Sequence, residues 1–199
     1  APRYRETALG TPALAQVRRA TECILAQQEP YPAFVLDRHW NVLLANRAAE
    51  RVNGFVMRGR ASAHRNMLRQ IFDPGDLRPA VANWEEVALD LLRHLHNEVA
   101  AAPTDAAARM LLDEVLAYPG VPARWRMRDL DAAPSPLLTT VLQRDEDQLR
   151  FFSTIPTFGT PRGVTLDEMR MECCFPDDEA TVELCRRLAR EDAGGTPAS

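Results

Sequence analysis

Arg69 and Asn66 stand on one expected helical turn, and they are the side chains best suited to hold the polar end of a ligand. An arginine presents a planar fork of donors that matches a carboxylate. Arg124 and Arg126, flanking Trp125, form a second such set. Covalent chemistry has less support. Cys173 and Cys174 are neighbours in an alternating segment. Their side chains point to opposite faces of a strand, and a bond between them would strain the ladder. Cys173 is expected to be buried and inert. His94 and His96 lie two residues apart in a helical segment and diverge, so they cannot chelate one metal together. His94 shares a face with Glu98, without a further ligand in view. His39, beside Trp40 in a turn, is expected at the surface. No Gly-x-Ser-x-Gly, phosphate loop, Gly-x-Gly-x-x-Gly or His-Glu-x-x-His occurs. These residue types point to binding rather than catalysis, with no catalytic residue, no metal site and no resident cofactor.

The elements that must position these groups are legible in the periodicity. Thr11 and Pro12 open a helix over 12–28, with Leu14, Val17, Thr21, Ile24 and Leu25 on one face. The stretch 32–46 reads as strand, turn, strand and helix cap: Phe34 to Leu36 and Val42 to Ala45 are apolar runs around the polar turn 37–41. Asn46 is placed to cap a helix over 47–52. A loop over 54–63 precedes a short helix over 66–72. Asn83 and Glu86 have the spacing of a capping box at the start of a helix over 84–101. On it Trp84, Val87, Ala88, Leu91, Leu92, Leu95 and Val99 repeat at helical spacing. A helix over 106–117 stops before Pro119-Gly120. The period then changes to two: strands over 136–144 and 148–158 form a hairpin around 145–147. Over 168–175, Met169, Met171, Cys173 and Phe175 alternate with Glu168, Arg170, Glu172 and Cys174. A last helix runs from 176–177 to about Arg190, and 193–199 is expected to be a disordered tail.

Two strands and three strands around a helical middle close into one five-stranded antiparallel sheet with helices on a face, an α+β fold. At 199 residues the chain suits one such domain over 30–192, preceded by a linker-helix region over 1–29. A net charge of −4 argues against direct electrostatic binding of nucleic acid. All 24 basic residues are arginine, which reads as compositional bias. No apolar run is long enough to span a bilayer and no signal-peptide pattern is present. Four irregularly spaced cysteines read as reduced thiols, and the expected location is cytoplasmic.

PAS-type sensor domains open with a hairpin like 32–46, and the likeness extends to particular motifs. They are Tyr31-Pro-Ala-Phe-Val-Leu-Asp-Arg-His-Trp-Asn-Val-Leu-Leu-Ala-Asn-Arg-Ala-Ala49, Asn66-Met-Leu-Arg-Gln-Ile-Phe-Asp-Pro74, Asn83-Trp-Glu-Glu-Val-Ala88, Ser135-Pro-Leu-Leu-Thr-Thr-Val-Leu-Gln-Arg144 and the block from Phe151 to Thr181. In this order they resemble the ligand-binding domain of MmyB-like (XRE-family) bacterial transcription regulators, over roughly 30–190. The resemblance implies a PAS-like fold that binds a small apolar ligand, with fatty acids as the class. It also implies a helix-turn-helix DNA-binding domain N-terminal to the sensor. The 29 residues before Pro30 cannot hold that domain, so DNA would be a partner only through a missing part. The region 12–28 would be the linker from it, with a homodimer as the expected assembly and no membrane partner.

The expected ligand contacts are Asn66, Met67, Arg69, Phe72, Trp84, Val87, Leu91, Leu95, Met110, Met169 and Met171. The apolar positions are first of all core, and part of this face is expected to line a cavity. The methionines add adaptable walls. About 12 buried methylenes at ~0.8 kcal/mol each give ~10 kcal/mol gross. Immobilising the ligand costs several kcal/mol. Micromolar binding is then within reach of apolar walls alone, and an arginine would orient the ligand more than drive binding. The alternatives are a PAS-like dimerisation module without a ligand and, further off, a small enzyme.

Overall fold

The computed structural model describes residues 12–127, 138–154 and 169–194. The expected strand ends at 136–137, 155–158 and Glu168, the loop 159–164, and the tail from 195 lie outside these residues. Helix α1, Pro12–Gln27, leads into the hairpin β1, Ala33–Asp37, and β2, Val42–Ala45. Helices α2, Arg47–Val56, α3, Met67–Phe72, α4, Trp84–Ala101, and α5, Ala106–Ala117, follow. The chain then returns through β3, Thr139–Arg144, β4, Asp147–Thr154, and β5, Met169–Pro176, to α6, Glu179–Gly194. The strands form one sheet in the order β2-β1-β5-β4-β3, all pairs antiparallel. The fold is α+β and PAS-like, with the helical middle between β2 and β3.

Local chemistry explains most boundaries. Asn46 caps α2, its side-chain oxygen accepting from the Ala49 N–H at 3.0 Å. Asp105 caps α5 by accepting from Ala107 and Ala108. Helix α2 continues through Gly54 to Val56, four residues beyond the expected end at 52. Val56 is buried and Phe55 packs on the core, which offsets the ~1 kcal/mol that glycine costs in a helix. Asn83 does not cap α4. Its amide instead donates to the Thr139 carbonyl at 2.7 Å and to Glu86 at 3.0 Å, while its oxygen accepts the Val141 N–H at 2.9 Å, fastening α4 to β3. Helix α6 starts two residues later than expected, where Asp178 accepts the Thr181 N–H at 2.7 Å. It runs to Gly194, so Ala193 and Gly194 are helical rather than tail.

The sheet is covered on both faces, which decides what each strand residue does. On one face α1 lays Leu25 and Ile24 against Ala33, Val35, Met171 and Cys173. The other face carries the main core: Leu36, Leu149, Phe151 and Cys174 pack with Val52 of α2, Phe72 of α3, Val87 and Leu92 of α4, and Leu184 of α6. β5 is the middle strand, between β1 and β4. Its two alternating sets therefore belong to different layers.

Candidate functional site

Between the inner face of the sheet and helices α2, α3 and α4 lies a cavity of about 370 Å³. That is within the ~300–1,000 Å³ usual for small-molecule sites. Its apolar walls include Phe34, Val52, Met67, Ile71, Val87, Leu91, Leu142 and Phe151. Its polar side is formed by Arg170, Glu172 and Cys174 from β5, Ser153 from β4, Thr140 from β3, Asp90 and His94 from α4, Gln70 from α3 and Asn53 from α2.

Trp40 also lines the cavity. It sits in the β1–β2 turn with a left-handed backbone, φ 67°, a conformation uncommon for a bulky residue. Three contacts hold it there. Its indole N–H donates to Glu98 at 3.0 Å, the Arg170 guanidinium lies 4.8 Å from its ring centroid, and the Arg170–Glu98 ion pair closes the triangle at 2.6 Å. Arg170 also donates to the Arg38 carbonyl at 3.2 Å. Beyond it, burial raises the Glu172 carboxyl above the usual glutamate range. A hydrogen bond with Ser153 and the nearby charges of His94 and Arg170 oppose that rise. His94 reaches Asp90 on its own helix at 3.5 Å.

Residues 17–188 match the sequence profile of the MmyB-like transcription regulator ligand binding domain. The chain belongs to that family. It is thus the ligand-binding domain of a MmyB-like transcription regulator, with a PAS-like fold. No curated protein matches it. Among solved structures it is similar to the PAS domain of Bordetella pertussis BvgS, at 16% identity over 90% of this chain and 98% of that one, with a TM-score of 0.32. The family match, not this distant likeness, carries the assignment. No helix among the described residues is long and apolar enough to cross a membrane.

Of the ligand contacts expected for this MmyB-like domain, Met67, Val87 and Leu91 line the cavity. Arg69 is engaged elsewhere: its Nε and Nη2 donate to the two oxygens of Glu114 at 2.7 and 2.8 Å. That bidentate pair raises the arginine pKa and holds Glu114 below the usual range. Asn66 is a buried structural group that caps α3 and donates to the His39 carbonyl at 2.7 Å. Phe72, Trp84 and Leu95 belong to the packed core; Trp84 meets the Phe72 ring edge-on at 6.0 Å and lies under Arg78 at 3.6 Å. Met110 is 71% exposed, on the solvent side of α5. Met169 and Met171 face α1, on the far side of the sheet from the cavity. Arg124 and Arg126 are exposed, while Trp125 between them is buried.

The histidines also resolve. His39 is half-buried rather than a surface group, its Nε2 3.0 Å from Asp105. His94 and His96 diverge, His96 reaching the Trp125 carbonyl at 3.1 Å. Among the described residues, no three His, Cys, Asp or Glu side chains are grouped to hold a metal ion.

The cavity's polar residues on β5 were missed because its Met169, Met171, Cys173 and Phe175 set looks like the inner one. The usable signal is that Arg170 and Glu172 interrupt a strand whose other set is apolar throughout. A central strand covered on both sides places charges only where another charge or a ligand meets them.

The cysteines give a direct check of this layering. Cys173, Cys174 and Cys185 are buried, and Cys23 is exposed. Burial raises the Cys173 and Cys174 thiols and pushes Cys185 up to about 12. The thiolate is the reactive form. Titration of the folded protein with a disulfide reagent at mildly alkaline pH is expected to label Cys23 alone, the other three reacting only after denaturation. Rapid labelling of Cys174 in the native state would mean the cavity is open to bulk water.

Proposed function

We propose that this domain is the sensor of a DNA-binding regulator, and that it takes a small, mostly apolar molecule into the cavity between the sheet and α4. The observation that carries this is a cavity of about 370 Å³ with mainly apolar walls and a polar side centred on β5 and α4, in a family of ligand-binding domains. An acyl chain of the fatty-acid type suits the walls, with Met67, Val87 and Leu91 as contacts.

Two hydrogen bonds connect the cavity to the segment that follows α1. The Gln28 side chain, just past the end of α1, donates to the Cys174 carbonyl at 2.8 Å. The Cys174 N–H donates to the Pro32 carbonyl at 2.9 Å, and both Cys174 and Pro32 line the cavity. A ligand that shifts β5 would thereby shift the linker helix, and with it the arrangement of DNA-binding domains preceding this chain. Such a shift can be no larger than the ligand's differential affinity for the two arrangements. Leu43 and Leu44 are exposed on β2, an edge strand, and offer an apolar patch for a homodimer in the cytoplasm.

Native mass spectrometry of the purified domain tests the reading. The expected spectrum contains a non-covalent adduct of a few hundred daltons that is lost on collisional activation. A protein that is free of ligand, and stays free after incubation with long-chain acids, alcohols and amines, would leave it a dimerisation module.

A further inference from the structure

Among the described residues, Arg170 is the one arginine in the cavity wall, and a carboxylate from outside that wall already holds it. Glu98 stands on α4, beyond the lining residues. Its Oε1 lies 2.6 Å from Arg170 Nη1, and its Oε2 accepts the Trp40 indole N–H at 3.0 Å. The Glu98 side chain is 27% exposed. An ion pair in contact with water contributes little, so Glu98 can leave the pair for water at small cost. Arg170 has other ties. Its Nη2 donates to the Arg38 carbonyl at 3.2 Å, and its guanidinium lies 4.8 Å from the Trp40 ring centroid. The arginine therefore keeps its place when Glu98 goes.

The cavity favours a second carboxylate at the same fork. Arg170 and Glu172 stand two residues apart on β5, on the face that lines the cavity. Asp90 and Glu172 balance Arg170 and His94 along the wall. Burial raises the Glu172 carboxyl above its usual range, which favours the protonated form. In that form it donates a hydrogen bond instead of repelling an anion. A carboxylate inside the cavity also meets the guanidinium in a lower dielectric than Glu98 does, which strengthens the attraction.

We infer that Glu98 is an internal stand-in for the ligand head group: a carboxylate entering the cavity takes its place on Arg170, and Glu98 turns out into water. This rests on the reading of the cavity as a ligand site, and adds what holds the head group and what binding displaces. The alkyl portion lies against Met67, Val87, Leu91 and Phe151. The exchange also takes the acceptor from the Trp40 indole. Trp40 shapes the β1–β2 turn, and its carbonyl accepts the Met67 N–H at 2.9 Å at the start of α3. Arrival of the head group is thus felt in the hairpin and in the helix beside it.

Calorimetric titration of the whole chain with dodecanoate and dodecanol tests the exchange. Glu98→Gln keeps an oxygen for the Trp40 indole and removes the competing charge. It is expected to bind dodecanoate about fivefold more tightly than the unaltered protein does, with dodecanol affinity unchanged. Arg170→Gln is expected to bind dodecanoate more weakly by about tenfold or more, again with dodecanol unchanged. The constant dodecanol affinity also reports that each variant is folded. A merely structural role for Glu98 would weaken both compounds or neither, and would not tighten the acid alone. If either variant does not fold, the other decides. Dodecanoate affinity that fails to rise in Glu98→Gln, or that survives Arg170→Gln, overturns the exchange and leaves the apolar cavity standing. Failure of both compounds to bind the unaltered protein overturns both.

Discussion

Asn46→Ala is expected to destabilise the domain by about 3–5 kcal/mol, a large share of the ~5–15 kcal/mol typical of a whole domain. Asn46 is buried, and each end of its amide makes two hydrogen bonds. The oxygen accepts from the Ala33 N–H and the Ala49 N–H, both at 3.0 Å. The nitrogen donates to the Tyr31 carbonyl at 2.8 Å and the Leu25 carbonyl at 3.2 Å. Alanine leaves those four backbone groups without their partner. A buried group stranded in this way costs about 1–3 kcal/mol, and loss of an N-cap alone about 1 kcal/mol. Water entering the gap relieves part of the sum, which keeps the figure below the simple total.

Urea unfolding at unchanged slope measures the effect. Asn46→Ser, which keeps an oxygen for the Ala49 cap but cannot reach Leu25 or Tyr31, should fall between wild type and alanine. A loss under ~1 kcal/mol for alanine would mean that the four bonds are not held in the folded state. The position matters beyond stability. Leu25 is in α1, Ala33 in β1 and Ala49 in α2, so one side chain ties α1 to the sheet and to the first helix above it. Any signal leaving through α1 passes an element whose seat Asn46 helps to define.

The fold was open to sequence reading wherever a local rule and the tertiary packing agree. The apolar repeat from Trp84 to Val99 marks α4 because one helix face packs on the core throughout. Asn46 was recognisable as a cap, though not as the junction of three elements, since its contacts to Leu25 and Tyr31 depend on the return of the chain. β3 begins at Thr139 rather than 136, while the turn between β3 and β4 was placed within a residue by its acidic side chains. Its Asp145 adopts a positive φ of 53°, which aspartate tolerates better than most residues.

The site was less legible, for reasons of the same kind. Alternation along β5 separates two faces but does not say which faces the cavity. Sliding the assignment by one residue exchanges Met169 and Met171 for Arg170 and Glu172. Apolar content usually decides such a choice. Here α1 takes the apolar face and the cavity takes the charged one. Arg69 stands outside the cavity walls, paired with Glu114, which lies 45 positions away in sequence. Asn83 failed as a cap because β3 offers its amide better partners than the helix end does. In each case a long-range partner outcompeted a local one, and sequence spacing carries no record of that partner.

Filling the cavity from the sheet side is expected to separate binding from stability. Thr140 lines it from β3, directly across from Phe151 of β4, another lining residue. Thr140→Phe adds a ring to this face. The aromatic pair across the strands favours the sheet by roughly 0.2–1 kcal/mol. The same ring takes space that a ligand's alkyl portion would use. Excluding about four methylenes removes ~3 kcal/mol of burial, close to a hundredfold in affinity. The variant is therefore expected to unfold at a urea concentration equal to or above that of wild type, yet to lose the co-purified mass and bind added ligand about a hundredfold more weakly. Met110→Gln is the matching control, because Met110 is exposed on α5 and outside the cavity walls; it should leave both properties unchanged. If Thr140→Phe binds as wild type does, the ligand sits elsewhere. If Met110→Gln weakens binding, the ligand reaches the outer face of α5, and the cavity beneath α4 is not where it is held.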